Sequence, residues 1–158
     1  MTHVGIGYDV HQFKEGRRLF LGGVEFDSPI GLDGHSDADV LIHAIADALL
    51  GALGKEDIGH FFPNTDPQWK DVRSVVFLEA IRGQVEAMGA RIVNIDATAI
   101  AETPKIYPRI GEMKTEIGRA LAIETTKIGI KATTNETMGF IGRKEGVAAM
   151  AVASVERG

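Results

Sequence analysis

The sequence predicts an α+β fold in which helices cover one face of a β-sheet. Two patterns carry that expectation. Segments of period-two alternation, at residues 2–11, 91–101, 127–132 and 147–155, are interleaved with three segments of helical periodicity. The last alternating segment is apolar on both faces, with Val147, Ala149, Ala151 and Ala153 on one and Ala148, Met150 and Val152 on the other. Three helices can cover one such face. The other needs either the rest of the chain or the sheet of a second copy.

Composition narrows the possibilities. At 158 residues the chain suits a single domain, expected to span 1–158. With 44% hydrophobic and 25% charged residues it falls among globular chains, and no apolar run is long enough to cross a membrane. The first residues lead straight into a strand pattern without a basic and apolar leader, so an unprocessed cytoplasmic protein is expected. Cysteine is absent, which excludes disulfides, thiol nucleophiles and Cys-ligated zinc, and leaves five histidines with Asp and Glu as metal ligands. A net charge of -5 argues against a nucleic-acid surface. A phosphorylated small molecule fits if a metal supplies positive charge locally.

Taken in order, residues 2–11 read as a strand that places Asp9 and His11 on one face. Residues 18–21 and 24–26 flank Gly22-Gly23, a hairpin signal, and residues 27–35 read as loop. Ser36-Asp37-Ala38-Asp39 has the composition of a helix N-terminus, predicting Ser36 as the cap of a helix running to about Leu53 and stopping at Gly54. Its apolar stripe is Val40, Leu41, Ala44, Ile45, Ala48 and Leu49, while Asp39, His43 and Asp47 share another side. Residues 55–71 form a long loop of the kind that more often carries function than not. A second helix is predicted over 73–88, ending at Gly89, and a third from Pro108 to about Ala122. Val93, Ile95, Ala97 and Ala99 are expected on one face of the 91–101 strand, and residues 138–143 look too irregular for a helix.

The chemistry concentrates in a few residues. Asp9, His11 and His43 are three ligands of the kind a catalytic zinc uses, with a fourth position left open. Asp39 and Asp47, one turn either side of His43, are candidates to orient its imidazole, or else serve helix solvation and capping. His35-Ser36 lies at a helix mouth suited to an anionic oxygen. The 133–143 stretch can place hydroxyls, a carboxylate and a guanidinium around phosphates, or form an ordinary turn.

These segments together resemble the 2-C-methyl-D-erythritol 2,4-cyclodiphosphate synthase family over essentially the whole chain. The matching pieces, in order, are Gly7-Tyr8-Asp9-Val10-His11, Leu21-Gly22-Gly23-Val24, His35-Ser36-Asp37-Ala38-Asp39-Val40 leading to His43, and Asp57-Ile58-Gly59. They continue with Phe62-Pro63-Asn64-Thr65-Asp66, Pro104-Lys105, Lys131-Ala132-Thr133-Thr134, and Gly139-Phe140-Ile141-Gly142-Arg143 with Glu145-Gly146. The resemblance implies a mixed sheet whose second face packs at the centre of a homotrimer, with active sites between adjacent subunits. It implies one Zn2+ per subunit on Asp9, His11 and His43, and a Mg2+ or Mn2+ held by Glu136 on the substrate diphosphate. His35 and Thr134 are implied as catalytic residues that position or stabilise the reacting phosphate. Substrate binding is implied for Val10, Ser36, the 57–66 loop (Asp57, Ile58, Gly59, Phe62, Pro63, Asn64, Thr65, Asp66), Ala101, Pro104, Lys105, Ile106, Tyr107, Ala132, Thr133, Asn135, Phe140 and Arg143. Cytidine falls to the 101–107 and 132–133 pieces, and methylerythritol to the 57–66 loop.

The chain departs from the family pattern at Asn64, where an acidic residue is expected, and at Asn135, where a threonine is frequent. Both keep a hydrogen-bonding oxygen, and neither touches the implied metal ligands. The implied reaction closes a cyclic diphosphate and releases CMP. A metal-dependent nucleotide diphosphohydrolase and a non-catalytic metal- or nucleotide-binding trimer are the alternatives.

Overall fold

The structure, a computed structural model, describes residues 1–158. Strand β1 (Thr2–Glu15) extends four residues past His11, and together with β2 (Leu19–Leu21), β3 (Val24–Phe26) and β4 (Ile30–Leu32) makes up the N-terminal part. The β2–β3 hairpin turns on Gly22 and Gly23 at φ +61° and +79°, the left-handed pair that a two-residue turn of this kind demands. Strand β4 lies inside the stretch expected to be loop. Only three residues long, it is recruited by pairing with residues 13–15 of β1 rather than by any pattern of its own.

Then come α1 (Val40–Ala52), a single turn α2 (Ile58–Phe61), α3 (Val75–Ala87), β5 (Ala90–Ile100), α4 (Ile110–Leu121), β6 (Ile128–Thr133), a single turn α5 (Gly139–Gly142) and β7 (Gly146–Arg157). The main sheet has the order β4-β1-β7-β5-β6. All its pairs are antiparallel except β5–β6, so the sheet is mixed and the fold α+β.

Helix α1 is the centre of the molecule. It packs on β1 and β7 with α3 beside it, while α4 packs on α3 and β6. Gly5 and Gly7 make this approach possible, because a Cβ on Gly7 would stand 1.9 Å from the Ala44 carbonyl oxygen and one on Gly5 would stand 2.1 Å from that of Ala48. The helix is buried on nearly every side, not along a stripe alone. Leu41, Ile42, Ile45, Leu49 and Leu50 are all fully enclosed, each worth roughly 1.5–3 kcal/mol of transfer free energy. Its polar residues Asp39 and His43 are buried with them, so each needs partners.

Several boundaries move for physical reasons. Helix α1 begins at Val40 with Asp39 as its cap, not Ser36, because Ala38 sits at φ +58° and breaks the helical path. A bulge in β5 between Ile92 and Asn94 puts Ile92 in the core in place of Val93. The 55–71 loop contains α2 and a 3-10 turn at Pro67–Trp69. A further 3-10 turn, Tyr107–Arg109, delays α4 to Ile110, and the irregular 138–143 stretch folds its centre into α5.

The far face of the sheet answers the question posed by the last strand. Val4, Ile6, Tyr8 and Val10 of β1 and Met150 and Val152 of β7 stand open, with Ile6 opposite Val152 and Tyr8 opposite Met150. Ile6 is 67% exposed on a central strand, so no part of this chain covers that strip.

Candidate active site

The odd-numbered residues of β1 face α1. Gly5 and Gly7 seat the helix, and one step further along the strand Asp9 and His11 meet His43, the neighbour of the Ala44 carbonyl that lies over Gly7. His11 Nε2 lies 2.8 Å from Asp9 Oδ2, His43 Nδ1 lies 3.0 Å from the same oxygen, and the two nitrogens lie 3.2 Å apart. A tetrahedral zinc site with bonds of 2.0–2.1 Å has ligand atoms about 3.3 Å apart. The triplet is therefore within about half an ångström of a metal-ready spacing.

Electrostatics agree with that geometry. Burial opposes charge on Asp9, but hydrogen bonds from His11 and His43 and their nearby charge outweigh it and hold the carboxyl at about 2. Burial likewise opposes a charged His11, and the hydrogen bond and charge of Asp9, with the Asp33 carbonyl and Asp39, raise it above 6.5. The cluster thus attracts a cation, whether a proton or a metal. On its outer side His11 Nδ1 reaches the Asp33 carbonyl at 2.7 Å, which directs Nε2 inward. His43 Nε2 points the other way, 2.8 Å from Ser74 Oγ and 3.2 Å from Ser36 Oγ.

Neither Asp39 nor Asp47 orients His43. Asp39 accepts the backbone N–H groups of Gly22 (2.9 Å), Gly23 (2.7 Å) and Ile42 (3.0 Å), tying the hairpin to the start of α1. Asp47 accepts the N–H of Ile58 at 2.9 Å and anchors α2.

A cavity of about 360 Å³ opens beside the triplet. His35, Ser36, Ile58, Gly59, Phe62 and Asn64 line it, as do Trp69 and Phe77, which the sequence reading did not single out. Phe62 stacks on Phe77 with centroids 4.4 Å apart, and Trp69 meets both edge-on, giving an aromatic wall. His35 Nε2 lies 3.0 Å from the Asp66 carbonyl oxygen. The rest of the 57–66 loop serves the wall from behind. Asp57 caps α2 through the His60 N–H, Asp66 accepts the Gln68 N–H, and Pro63 and Thr65 lie outside the lining. The bonds from Gln68 hold the Asp66 carboxyl below the usual range.

A second cavity, about 410 Å³, is lined by Ala101, Pro104, Lys105, Ile106, Tyr107, Ala132, Thr133 and Thr134, together with Glu102. Glu102, which no sequence motif flagged, accepts the N–H groups of Asn135 (3.0 Å) and Thr137 (3.2 Å) and fixes the loop that follows β6. In that loop Glu136 and Thr137 take left-handed φ of +51° and +63°, and Glu136 is exposed. Phe140 and Arg143 are also exposed, Arg143 pairing with Glu145 at 3.0 Å, and Val10 turns its side chain to the far face of the sheet. In one chain this second group is not brought to the metal triplet. Asp9, Ala149, Ala99 and Ala132 form one row across β1, β7, β5 and β6, and three strand spacings make about 14 Å.

Comparison with known proteins follows the same lines. Residues 2–156 match the YgbB family. The chain is 54% identical over 154 residues to the 2-C-methyl-D-erythritol 2,4-cyclodiphosphate synthase of Chlorobium phaeovibrioides, covering 98% of each, and 55% identical over 152 residues to that of Akkermansia muciniphila, covering 96% of this chain and 90% of the other. Among solved structures, the bifunctional IspDF of Campylobacter jejuni matches with a TM-score of 0.94 at 40% identity, this chain spanning 42% of that longer one and 98% of itself. The CDP complex of Plasmodium falciparum IspF matches with a TM-score of 0.86 at 34% identity, over 98% of this chain and 95% of the other. From the start of β1 to its last strand, the chain belongs to the YgbB family, the 2-C-methyl-D-erythritol 2,4-cyclodiphosphate synthases.

Proposed function

We propose that this protein cyclises 4-diphosphocytidyl-2-C-methyl-D-erythritol 2-phosphate to 2-C-methyl-D-erythritol 2,4-cyclodiphosphate and releases CMP, a step of non-mevalonate isoprenoid biosynthesis. The observation that carries the reading is the convergence of Asp9, His11 and His43 beside an open cavity, in a chain whose full-length relatives bear that activity's name. Asp9, His11 and His43 would hold one zinc ion per subunit, and it would supply Lewis-acid charge neutralisation to the diphosphate. Glu136 would hold a second divalent ion, magnesium or manganese, which would offset charge on the substrate diphosphate.

The attacking group is the substrate's own 2-phosphate. With a second pKa near 6 it is already largely ionised at neutral pH, so the protein needs no strong general base. The attack forms an O–P bond to the distal phosphorus of the diphosphate, and the bond to CMP breaks with its electron pair leaving on the CMP oxygen. Repulsion between anions and the entropy of ring closure are what remain to be overcome, and the residues answer both by positioning. His35 and Thr134 hold the reacting phosphate. Lys105, Ala101, Pro104, Ile106, Tyr107, Ala132 and Thr133 hold the cytidine arm, a role supported by the CDP-bound relatives. The aromatic wall of Phe62, Trp69 and Phe77 limits access of water, which would hydrolyse the diphosphate instead.

A homotrimer completes the site. The uncovered apolar strip on β1 and β7 is the kind of surface that a second copy buries, and a neighbouring subunit can bring its nucleotide cavity to the metal triplet that its own chain leaves about 14 Å away. Work on a phosphorylated intermediate suits the cytoplasm, and no helix is long and apolar enough to cross a membrane. Phosphorus NMR of the products tests the reading: equal amounts of CMP and cyclic diphosphate support it, and an open-chain diphosphate contradicts it in favour of hydrolysis.

A further inference from the structure

We propose that Asp37 and Ser74 act together as a positioning relay that sets which nitrogen of His43 is free to bind metal, an inference that rests on the metal reading above. Ser74 is fully buried and stands at the N-cap of α3, yet its hydroxyl makes no capping bond to that helix. The hydroxyl is spent elsewhere. It donates to Asp37 Oδ1, and the Ser74 backbone N–H donates to Asp37 Oδ2 at 3.0 Å. The remaining neighbours of the carboxylate are donors too: the Asp39 N–H at 3.1 Å from Oδ1 and the Arg73 guanidinium at 3.4 Å from Oδ2.

Hydrogen counting then fixes the imidazole. Ser74 has one hydroxyl hydrogen, and Asp37 takes it, so Ser74 Oγ presents only lone pairs to His43 Nε2 at 2.8 Å. Two acceptors at that distance would repel, so the contact requires a hydrogen on Nε2. In the metal-bound state, with a cation in place of a hydrogen between His43 Nδ1 and Asp9 Oδ2, an imidazole protonated at Nε2 keeps its lone pair on Nδ1, the atom that faces Asp9 and His11. Ser36 fits the same scheme: its Oγ, 3.2 Å from His43 Nε2 and accepting the Ala38 N–H at 3.2 Å, can accept from the imidazole as well and send its hydrogen to Ser74 Oγ at 3.4 Å. The negative charge of Asp37 strengthens the bond that orders the rest, as carboxylates behind metal-binding histidines do.

The test uses the zinc-loaded full-length protein and two variants, Ser74→Ala and Ser74→Thr, with zinc affinity read by chelator competition. Ser74→Ala is expected to weaken zinc binding about 10- to 100-fold, while Ser74→Thr, which keeps the hydroxyl, stays within about threefold of wild type. A second readout is the imidazole N–H region of the proton NMR spectrum. Zinc-loaded wild type should show a slowly exchanging His43 Nε2–H; in Ser74→Ala that signal exchanges rapidly, whereas the His11 Nδ1–H, bonded to the Asp33 carbonyl, is unchanged. A purely structural role for Ser74 would lower the melting temperature of the metal-free protein and leave the His43 resonance alone, which would overturn the relay. Wild-type zinc affinity in Ser74→Ala would also overturn it. If that variant does not fold, the wild-type spectrum decides alone, since a freely exchanging His43 Nε2–H refutes the proposal. Wild type that binds no zinc would refute the metal reading itself, a result distinct from the relay's failure.

Discussion

His11 Nε2 and His43 Nδ1 lie 3.2 Å apart although strand and helix supply them from positions 32 residues apart in the chain. Such proximity of two nitrogen donors, both also touching Asp9 Oδ2, is held by packing and not by attraction between the rings. It depends on how closely α1 can approach β1. The glycines of the strand set that distance, and the site is therefore sensitive to changes that touch none of its ligands.

Gly7→Ala is the sharpest such change. The new Cβ would stand 1.9 Å from the Ala44 carbonyl oxygen, next to His43, and backbone cannot yield as a flexible side chain can. Overpacking of this kind costs roughly 1–3 kcal/mol or more. Thermal denaturation should show a clear drop in melting temperature, and zinc affinity should fall with it as His43 moves off Asp9. An unperturbed melting curve would contradict the packing account.

Protons compete with metal at the same place, and the shifted groups in and around the cluster, Asp9, His11 and Asp39 with Asp47 raised by burial beside them, contribute to the pH dependence of the metal-free protein. Asp9, held at about 2 because the His11 and His43 hydrogen bonds and charges outweigh burial, contributes stability that is present above its unfolded value of 3.8 and lost as the pH falls toward 2. His11 is raised, with Asp9 outweighing burial, so its contribution is present below 6.5 and lost as the pH climbs through its higher folded value. Asp39, pushed up to about 6 by burial and by the Asp37 charge, acts in the same direction: its contribution is present below 3.8 and is lost as the pH rises from there to about 6. Melting curves in chelator should peak near pH 4, fall between about pH 4 and 6 with Asp39, and fall further above about 6.5 with His11. Rising stability from pH 6 to 8 without metal would count against these assignments.

Glu136→Ala should separate the two cations. Glu136 is exposed on a loop that Glu102 fixes through Asn135 and Thr137, so its removal leaves the fold and the zinc ligands in place. Zinc content is expected to stay at the wild-type level, while the magnesium or manganese concentration needed for half-maximal turnover rises at least about tenfold, a loss near 1.4 kcal/mol. Unaltered magnesium dependence in kinetic titration would remove Glu136 from the second-metal role.

The open apolar strip gives a prediction about assembly. Val152→Asp places a charge opposite Ile6 on the far face, where it meets solvent in a monomer but would be buried between copies. Sedimentation velocity should report a trimer for wild type and a smaller species for the variant, with turnover lost as the subunits part. An active variant of unchanged size would argue that the strip does not form the interface.

How much of this could be read from sequence depends on whether a residue's role is local. Strand parity alone put Asp9 and His11 on one face, and Gly22-Gly23 announced its own turn, because both follow from backbone geometry over a few residues. The Asp39 carboxylate was legible as belonging near a helix start, but its bonds to Gly22 and Gly23 depend on where the hairpin docks. Ser74 carries no motif, and although Asp37 lies in the His35–Val40 piece, only the folded chain brings the two together behind His43. Trp69 and Phe77 read as ordinary apolar residues until Phe62 stacks against them. The bulge that exchanges Ile92 for Val93 leaves no mark on an alternating pattern.

The central claim is that Asp9, His11 and His43 hold the metal on which turnover depends. Elemental analysis after exhaustive chelation and zinc repletion, run beside activity on wild type and His43→Ala, tests it most directly. The account predicts one zinc per wild-type chain with activity returning in proportion, and neither zinc nor activity in the variant. Full turnover by chelated wild type, or by His43→Ala, would contradict it.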